Sequence, residues 1–244
     1  MDDNTIEDAL EAYISSYPSP SPGPSEYELE LERLANVAPW SFYDVLLYRG
    51  HLHIAHTSPE QDKLAGLVIW LESRPIGAKV VHRMSGAQSF GLAARELWNG
   101  TPGEDGVTVE QWTALNAFVA RLCQAGITGF ISYPIWAMRD ALEDETRTED
   151  TPGLVPAAAV WVLCAGEWIH ALSKEEGTDC QTRAERGGSA RWKEGPWGYS
   201  VGRWELWKDT LRQIADGSEL AELPENDRAL VKQAYEVMQD LDGY

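Results

Sequence analysis

Leu154-Val-Pro-Ala-Ala-Ala-Val-Trp-Val-Leu-Cys-Ala-Gly-Glu-Trp-Ile-His-Ala-Leu-Ser-Lys174 decides the fold class. The run is apolar nearly all round. A helix of that kind is buried on every side, so other helices must surround it. Trp161 and Trp168 stand seven residues apart within it, which is helical spacing.

The flanking segments read as those surrounding helices. Thr108 caps a helix that runs to Gly126, with Gln111 completing a capping box. Trp112, Leu115, Val119 and Leu122 form its apolar stripe. Pro134 opens another helix, through Trp136 and Met138 to about Glu145, and the acidic stretch 143–150 reads as a solvated loop. On the far side, Trp204, Trp207, Leu211 and Ile214 mark one helix, and Leu230, Ala234, Val237 and Leu241 mark the last. Ser25 with Glu28, and Ser58-Pro59-Glu60-Gln61, read as two further helix starts. Residues 76–84 fit a short strand or an extended connection, and no β-alternation appears elsewhere. The expectation is an all-α fold: a single helical domain over 25–244, with about eight or nine helices and a long Gly-rich loop at 177–199.

Residues 1–24 read differently. A short helix over 4–17 precedes Pro18-Ser-Pro-Ser-Pro-Gly-Pro24, a stiff linker poor in hydrogen bonds. This acidic, Pro-rich N-terminal segment is expected to be loosely attached, or to bind a protein partner.

The net charge of -19 excludes some partners. Nucleic-acid binding needs Lys and Arg to neutralise phosphates, and anionic membrane surfaces need the same. Neither nucleic acid nor a membrane is therefore expected. Nine of the acidic residues fall within 1–32, where no basic residue stands. No apolar run is read as reaching the ~18 residues of a membrane span, and the acidic start is read as neither a secretory signal nor an Arg-rich transit peptide. The expected compartment is the cytoplasm. Cys123, Cys164 and Cys180 lack CxxC spacing and read as reduced thiols.

Chemistry is less legible. Glu167 and His170 make a Glu-x-x-His on the central helix; di-metal bundles need that pattern twice, and only one clear copy stands here. Glu167 in apolar surroundings suits a general base. Asn116 shares the buried face of Trp112 and Val119, as a core amide or as a group orienting a ligand. His51, His53 and His56 lack Cys or carboxylate partners nearby in sequence. Asp140-x-x-Glu143-Asp144 only faintly echoes the aspartate-rich motif of terpene cyclases, and Leu230 and Ala234 after Asn226 break the second motif. Arg183, Arg186, Arg191 and Lys193 cluster in the long loop. They suit the protein's own carboxylates or an anionic ligand. No phosphate loop, GxGxxG turn or GxSxG elbow appears, so neither metal nor cofactor is expected.

Four separated segments carry a resemblance: Ser58-Pro-Glu-Gln-Asp-Lys-Leu64, Leu115-Asn-Ala-Phe-Val-Ala-Arg-Leu122, Ala157-Ala-Ala-Val-Trp-Val-Leu-Cys-Ala-Gly166 and Gly198-Tyr-Ser-Val-Gly-Arg-Trp-Glu-Leu-Trp-Lys208. In this order they resemble a family of filamentous-fungal proteins catalogued as a domain of unknown function, over roughly residues 40–240. The resemblance implies a fungal, helical, intracellular protein and carries no catalytic residues.

Two functions of different class fit. One is a small-molecule protein of fungal secondary metabolism with a Trp-walled pocket for an apolar or aromatic ligand, as a cofactor-independent cyclase or isomerase if it is an enzyme. There Trp112, Trp161, Trp168, Trp204, Trp207 and Arg191 would bind the ligand, and Asn116, Glu167 and His170 would orient it or move protons. The other is a non-enzymatic helical interaction or regulatory module.

Overall fold

A computed structural model describes residues 3–16, 24–52, 54–72, 90–100, 102, 106–144, 148, 150–175, 191–192 and 195–243. Among the described residues the fold is all-α. The helices are α1 (Asp3–Ser15), α2 (Glu26–Val37), α3 (Pro39–Leu52), α4 (Pro59–Glu72), α5 (Phe90–Trp98), α6 (Val109–Gln124), α7 (Tyr133–Met138), α8 (Thr151–Lys174), α9 (Val201–Ala215) and α10 (Glu225–Asp242). A 3-10 turn, Thr128–Phe130, precedes α7, and a π turn, Arg139–Glu143, follows it. The candidate strand at 76–84, His53, Cys180, Arg183, Arg186, Lys193 and most of the Gly-rich loop lie outside the described residues.

Helix α8 is the spine. Val155, Ala157, Ala158, Ala159, Val160, Trp161, Val162, Ala165 and Ile169 are all fully buried, so neighbours pack around most of the helix, and only the side of Glu167 and Ala171 is exposed. Helix α6 lies along one side, α10 and α9 along another. Gly166 lets α10 close in: a Cβ there would stand 3.3 Å from Leu241 Cδ1. By length and composition α8 could cross a membrane, which corrects the expectation that no segment is apolar enough; 67% of its apolar window is buried inside the protein. Its backbone breaks at Ala165 (φ -142°, ψ 22°). There Gln124 of α6 inserts, its Oε1 accepting from the Trp168 backbone N–H at 3.3 Å, and a side chain entering the helical ladder is a recognised cause of a kink.

The capping boxes form as read. Ser25 N–H donates to Glu28 Oε2 (2.7 Å), and Glu28 N–H donates to Ser25 Oγ (3.3 Å). Thr108 and Gln111 exchange the same pair at 3.0 and 3.2 Å. Gln61, in the first turn of α4, ties α4 to α6. Its Nε2 donates to Ala114 O at 2.9 Å, and its Oε1 accepts from Arg121 at 2.7 Å.

Within the N-terminal segment, helix α1 packs against the rest of the described fold. Ile6 and Leu10 are fully buried and Tyr13 nearly so. They pack α1 onto α2, α3 and α4. Each such side chain contributes about 1.5–3 kcal/mol on burial. Lys63 of α4 donates to Ile14 O (3.1 Å) and sits 4.9 Å over the Tyr13 ring, so a cation closes the negative end of α1. Burial, helped by Glu28, pushes the Tyr13 phenol up to about 12.

Candidate functional site

Three helix ends converge on one aromatic cluster. Helix α5 finishes at Trp98, ahead of Asn99 and Gly100. The Thr108 capping box starts α6 so that Trp112 falls on its first turn. Pro134, in the first turn of α7, sets Tyr133 and Trp136. Trp98 lies 5.0 Å from Trp112, 4.4 Å from Tyr133 and 6.4 Å from Trp161, centroid to centroid, and Tyr133 lies 4.8 Å from Trp136. The rings do not close completely. A cavity of about 160 Å³ remains, lined by Trp98, Trp112, Trp136, Ala137, Arg139, Asp140 and Leu154. Arg139 and Asp140 form its wet rim, their side chains 29% and 49% exposed and joined Nε to Oδ1 at 2.7 Å. Trp136 Nε1 is buried and has no hydrogen-bond partner among the described residues.

The π turn that supplies this rim also reaches inward. Glu143, at its end, is fully buried and faces Arg203 of α9, itself fully buried. Arg203 Nε donates to Glu143 Oε1 at 2.6 Å and Nη2 to Oε2 at 3.0 Å, a two-pronged pair. Trp207 Nε1 donates to the same Oε1 at 2.7 Å, and Arg203 Nη1 donates to Gly198 O at 3.0 Å. The Arg203 guanidinium also sits 5.6 Å over the Trp207 ring. The reading of 143–150 as a solvated loop is therefore wrong at Glu143. Asp140 and Glu143 go to different partners, so the faint metal motif does not assemble. Of the loop cations, Arg191 bonds Glu219 (2.7 Å) and Thr210 (3.3 Å), which makes its described contacts internal ones.

The other residues singled out from the sequence do not meet at one place. Asn116 is a core amide: its Oδ1 accepts from Trp161 Nε1 at 2.7 Å, and its Nδ2 donates to Trp112 O at 2.8 Å. Trp112 lines the cavity; Trp161 stands behind it, fully buried. Glu167 is exposed, so the apolar enclosure expected of a general base is not there. It accepts from Gln124 Nε2 at 3.2 Å and lines a separate groove of about 470 Å³ with Cys164, Val237, Asp240 and Leu241. Arg121 ties this region together through Asp62, the His56 carbonyl and Cys164 Sγ. A third hollow, about 380 Å³, lies between α1, α3 and α5, with Asp3, Glu7, Asp44 and Glu96 around Val45, Tyr48, Ala93 and Leu97. Trp168 is half-buried, 6.4 Å from Tyr199.

His170 turns away from Glu167. Its Nε2 lies 3.3 Å from Asp242 Oδ1, and its ring stacks 4.9 Å from Trp204. Trp204 Nε1 donates to the same carboxylate at 2.9 Å, and Lys208 pairs with its other oxygen. These contacts hold the end of α10 against α8 and α9. Burial, then Lys174, holds the imidazole below its ordinary 6.5 against the pull of Asp242. Burial would raise Asp242, but hydrogen bonds from Lys208 and Trp204 outweigh it and hold the carboxyl below 3.8. His170 therefore gives stability that is complete above pH 6.5 and lost as pH falls through its folded value. The Asp242 contribution is complete above 3.8 and lost in the same direction at lower pH. The protection factors of the α10 amides, with intrinsic exchange divided out, are expected to fall in two steps on acidification, the first just below pH 6.5. His170→Gln should abolish the first step; a variant that kept it would overturn the assignment.

Sequence reasoning missed Trp98, Trp136, Arg139, Glu143 and Arg203 as a linked region. The one available signal was the Arg203 and Trp207 pair at i, i+4, which puts both on one helix face.

No curated protein and no solved structure matches this chain. Residues 48–211, from the end of α3 to within α9, match a family profile, and they include every described residue lining the Trp98–Trp112–Trp136 cavity. The chain thus belongs to the family described as "Protein of unknown function (DUF3632)".

Proposed function

We propose that this protein binds a small molecule in the tryptophan cavity between α5, α6, α7 and the start of α8. A cavity of about 160 Å³ walled by three indoles, with one ion pair at its rim, carries this reading. Apolar walls with a few placed polar groups are the usual make-up of a ligand pocket. The fungal source, the cytoplasmic location and a role in secondary metabolism belong to this same proposal. Turnover by cyclisation or isomerisation draws less support, because Asn116, Glu167 and His170 point to other partners than this cavity.

The test is thermal unfolding with a panel of one- and two-ring compounds, followed by Trp fluorescence titration. A ligand at 100 times its Kd stabilises by about 2.7 kcal/mol. Binding is expected for at least one compound in the wild type and for none in Leu154→Phe, whose larger ring fills the cavity. Equal binding by both proteins would remove the site from the cavity.

A further inference from the structure

We infer that the apolar hollow between α1, α3 and α5 binds a linear alkyl polyamine, a chain whose ammonium groups stand about one helical turn apart. This site is separate from the tryptophan cavity and independent of it. The hollow holds about 380 Å³, within the ~300–1,000 Å³ usual for small-molecule sites. Its floor is apolar, made by Val45, Tyr48, Ala93 and Leu97, and Asp3, Glu7, Asp44 and Glu96 surround it. No Lys, Arg or His stands in the described lining, and no ion pair among the described residues neutralises these carboxylates. Burial, then the neighbouring Asp3, pushes the Asp44 carboxyl above its ordinary 3.8. Like charges therefore crowd here with no cation between them. Asp3 and Glu7 also repel each other at i, i+4 on α1, which costs the helix stability. A cationic guest turns each of these repulsions into an attraction.

Spacing and shape choose the class of cation. Asp3 and Glu7, Asp44 and Tyr48, and Ala93 and Leu97 are each i, i+4 pairs, so every wall is one turn long, about 6 Å. A basic helix docks through anchors at i, i+4 and i+7 and would overrun so short a site. A single metal ion fits no better: among the described residues no three acidic, His or Cys side chains converge as ligands. A spacer of about four methylenes covers the one-turn distance between carboxylates. Its ammonium ends then meet carboxylates on different walls, while the methylenes lie on the apolar floor, as the stems of long charged side chains do. The Tyr48 ring in the lining adds a face that attracts a cation.

The full-length protein is titrated calorimetrically with putrescine, butylamine, magnesium chloride and tetralysine. Salt at about 0.15 M screens the long-range pull of the net charge of -19. Putrescine is expected to bind about fivefold more tightly than butylamine, the upper range for one exposed ion pair. It should also exceed Mg²⁺, which has the same charge and no methylenes. Glu7→Gln with Asp44→Asn should remove the putrescine advantage. Glu222→Gln with Glu225→Gln makes the same charge change at exposed positions outside the hollow and should keep it. The hollow variant should unfold at or above the wild-type temperature, because it relieves like-charge repulsion. A lower temperature would assign the carboxylates to the fold and overturn the inference. Butylamine or Mg²⁺ matching putrescine would overturn it too, as would equal weakening by both variants, which would leave net charge alone as the attraction. If tetralysine outbinds putrescine and loses that lead in the hollow variant, the occupant is a basic protein segment and the polyamine assignment falls. The tryptophan-cavity reading is untouched by any of these results.

Discussion

Arg203→Ala is expected to lower the unfolding free energy by about 3–5 kcal/mol, the cost of leaving one partner of a buried ion pair alone. The Glu143 and Arg203 side chains are fully buried, and Glu143 would lose both arms of its cationic partner while keeping the neutral Trp207 Nε1 donor. Domains of ordinary stability hold about 5–15 kcal/mol in total, so this change approaches the whole margin. Urea unfolding followed by circular dichroism measures it. The companion is the double replacement Glu143→Leu with Arg203→Met. Removing both charges and keeping apolar volume is often neutral or even stabilising, so the double variant should recover most of the loss. A single variant within about 1 kcal/mol of wild type would place the pair in the range of an exposed one and contradict the closed network seen here.

Asn116→Ala is expected to cost about 2–4 kcal/mol, combining an unmade buried hydrogen bond with the cavity left behind. Trp161 Nε1 would lose its acceptor at 2.7 Å, and the Trp112 carbonyl would lose its side-chain donor at 2.8 Å. Trp161→Phe removes the same donor from the other side. A double-mutant cycle should therefore give a coupling well above the scatter of independent sites, because the two changes break one bond. Ligand affinity is the second readout. If Asn116→Ala kept its stability and lost binding, the amide would be orienting a ligand and not holding a core.

How much of this was legible beforehand differs by element. Helix α8 was readable because a run apolar on every side has few places to go. The Ser25–Glu28 and Thr108–Gln111 boxes were readable because both partners lie within four residues. The packing of helix α1 was not legible: Pro18 to Pro24 reads as a break, while Ile6, Leu10 and Tyr13 form an apolar stripe that α2, α3 and α4 bury. Asn116 was legible only as an alternative, since spacing puts it on the buried face without naming Trp161, 45 residues away, as its partner.

The sequence by itself determined that the chain is helical, which faces those helices bury, and that indoles crowd the interior. These are short-range matters of period, capping and apolar content. Only the tertiary structure decided which indoles leave a gap. It closed Trp161 on Asn116 and Trp207 on Glu143, and it left Trp98, Trp112 and Trp136 around an opening. It also turned Glu143 inward at the end of a π turn to meet Arg203, 60 residues on, where a run of carboxylates alone reads as solvent-facing. The physical reason is range. A helix face is set within a few residues, whereas a cavity or a buried charge pair exists only where segments far apart in the chain converge.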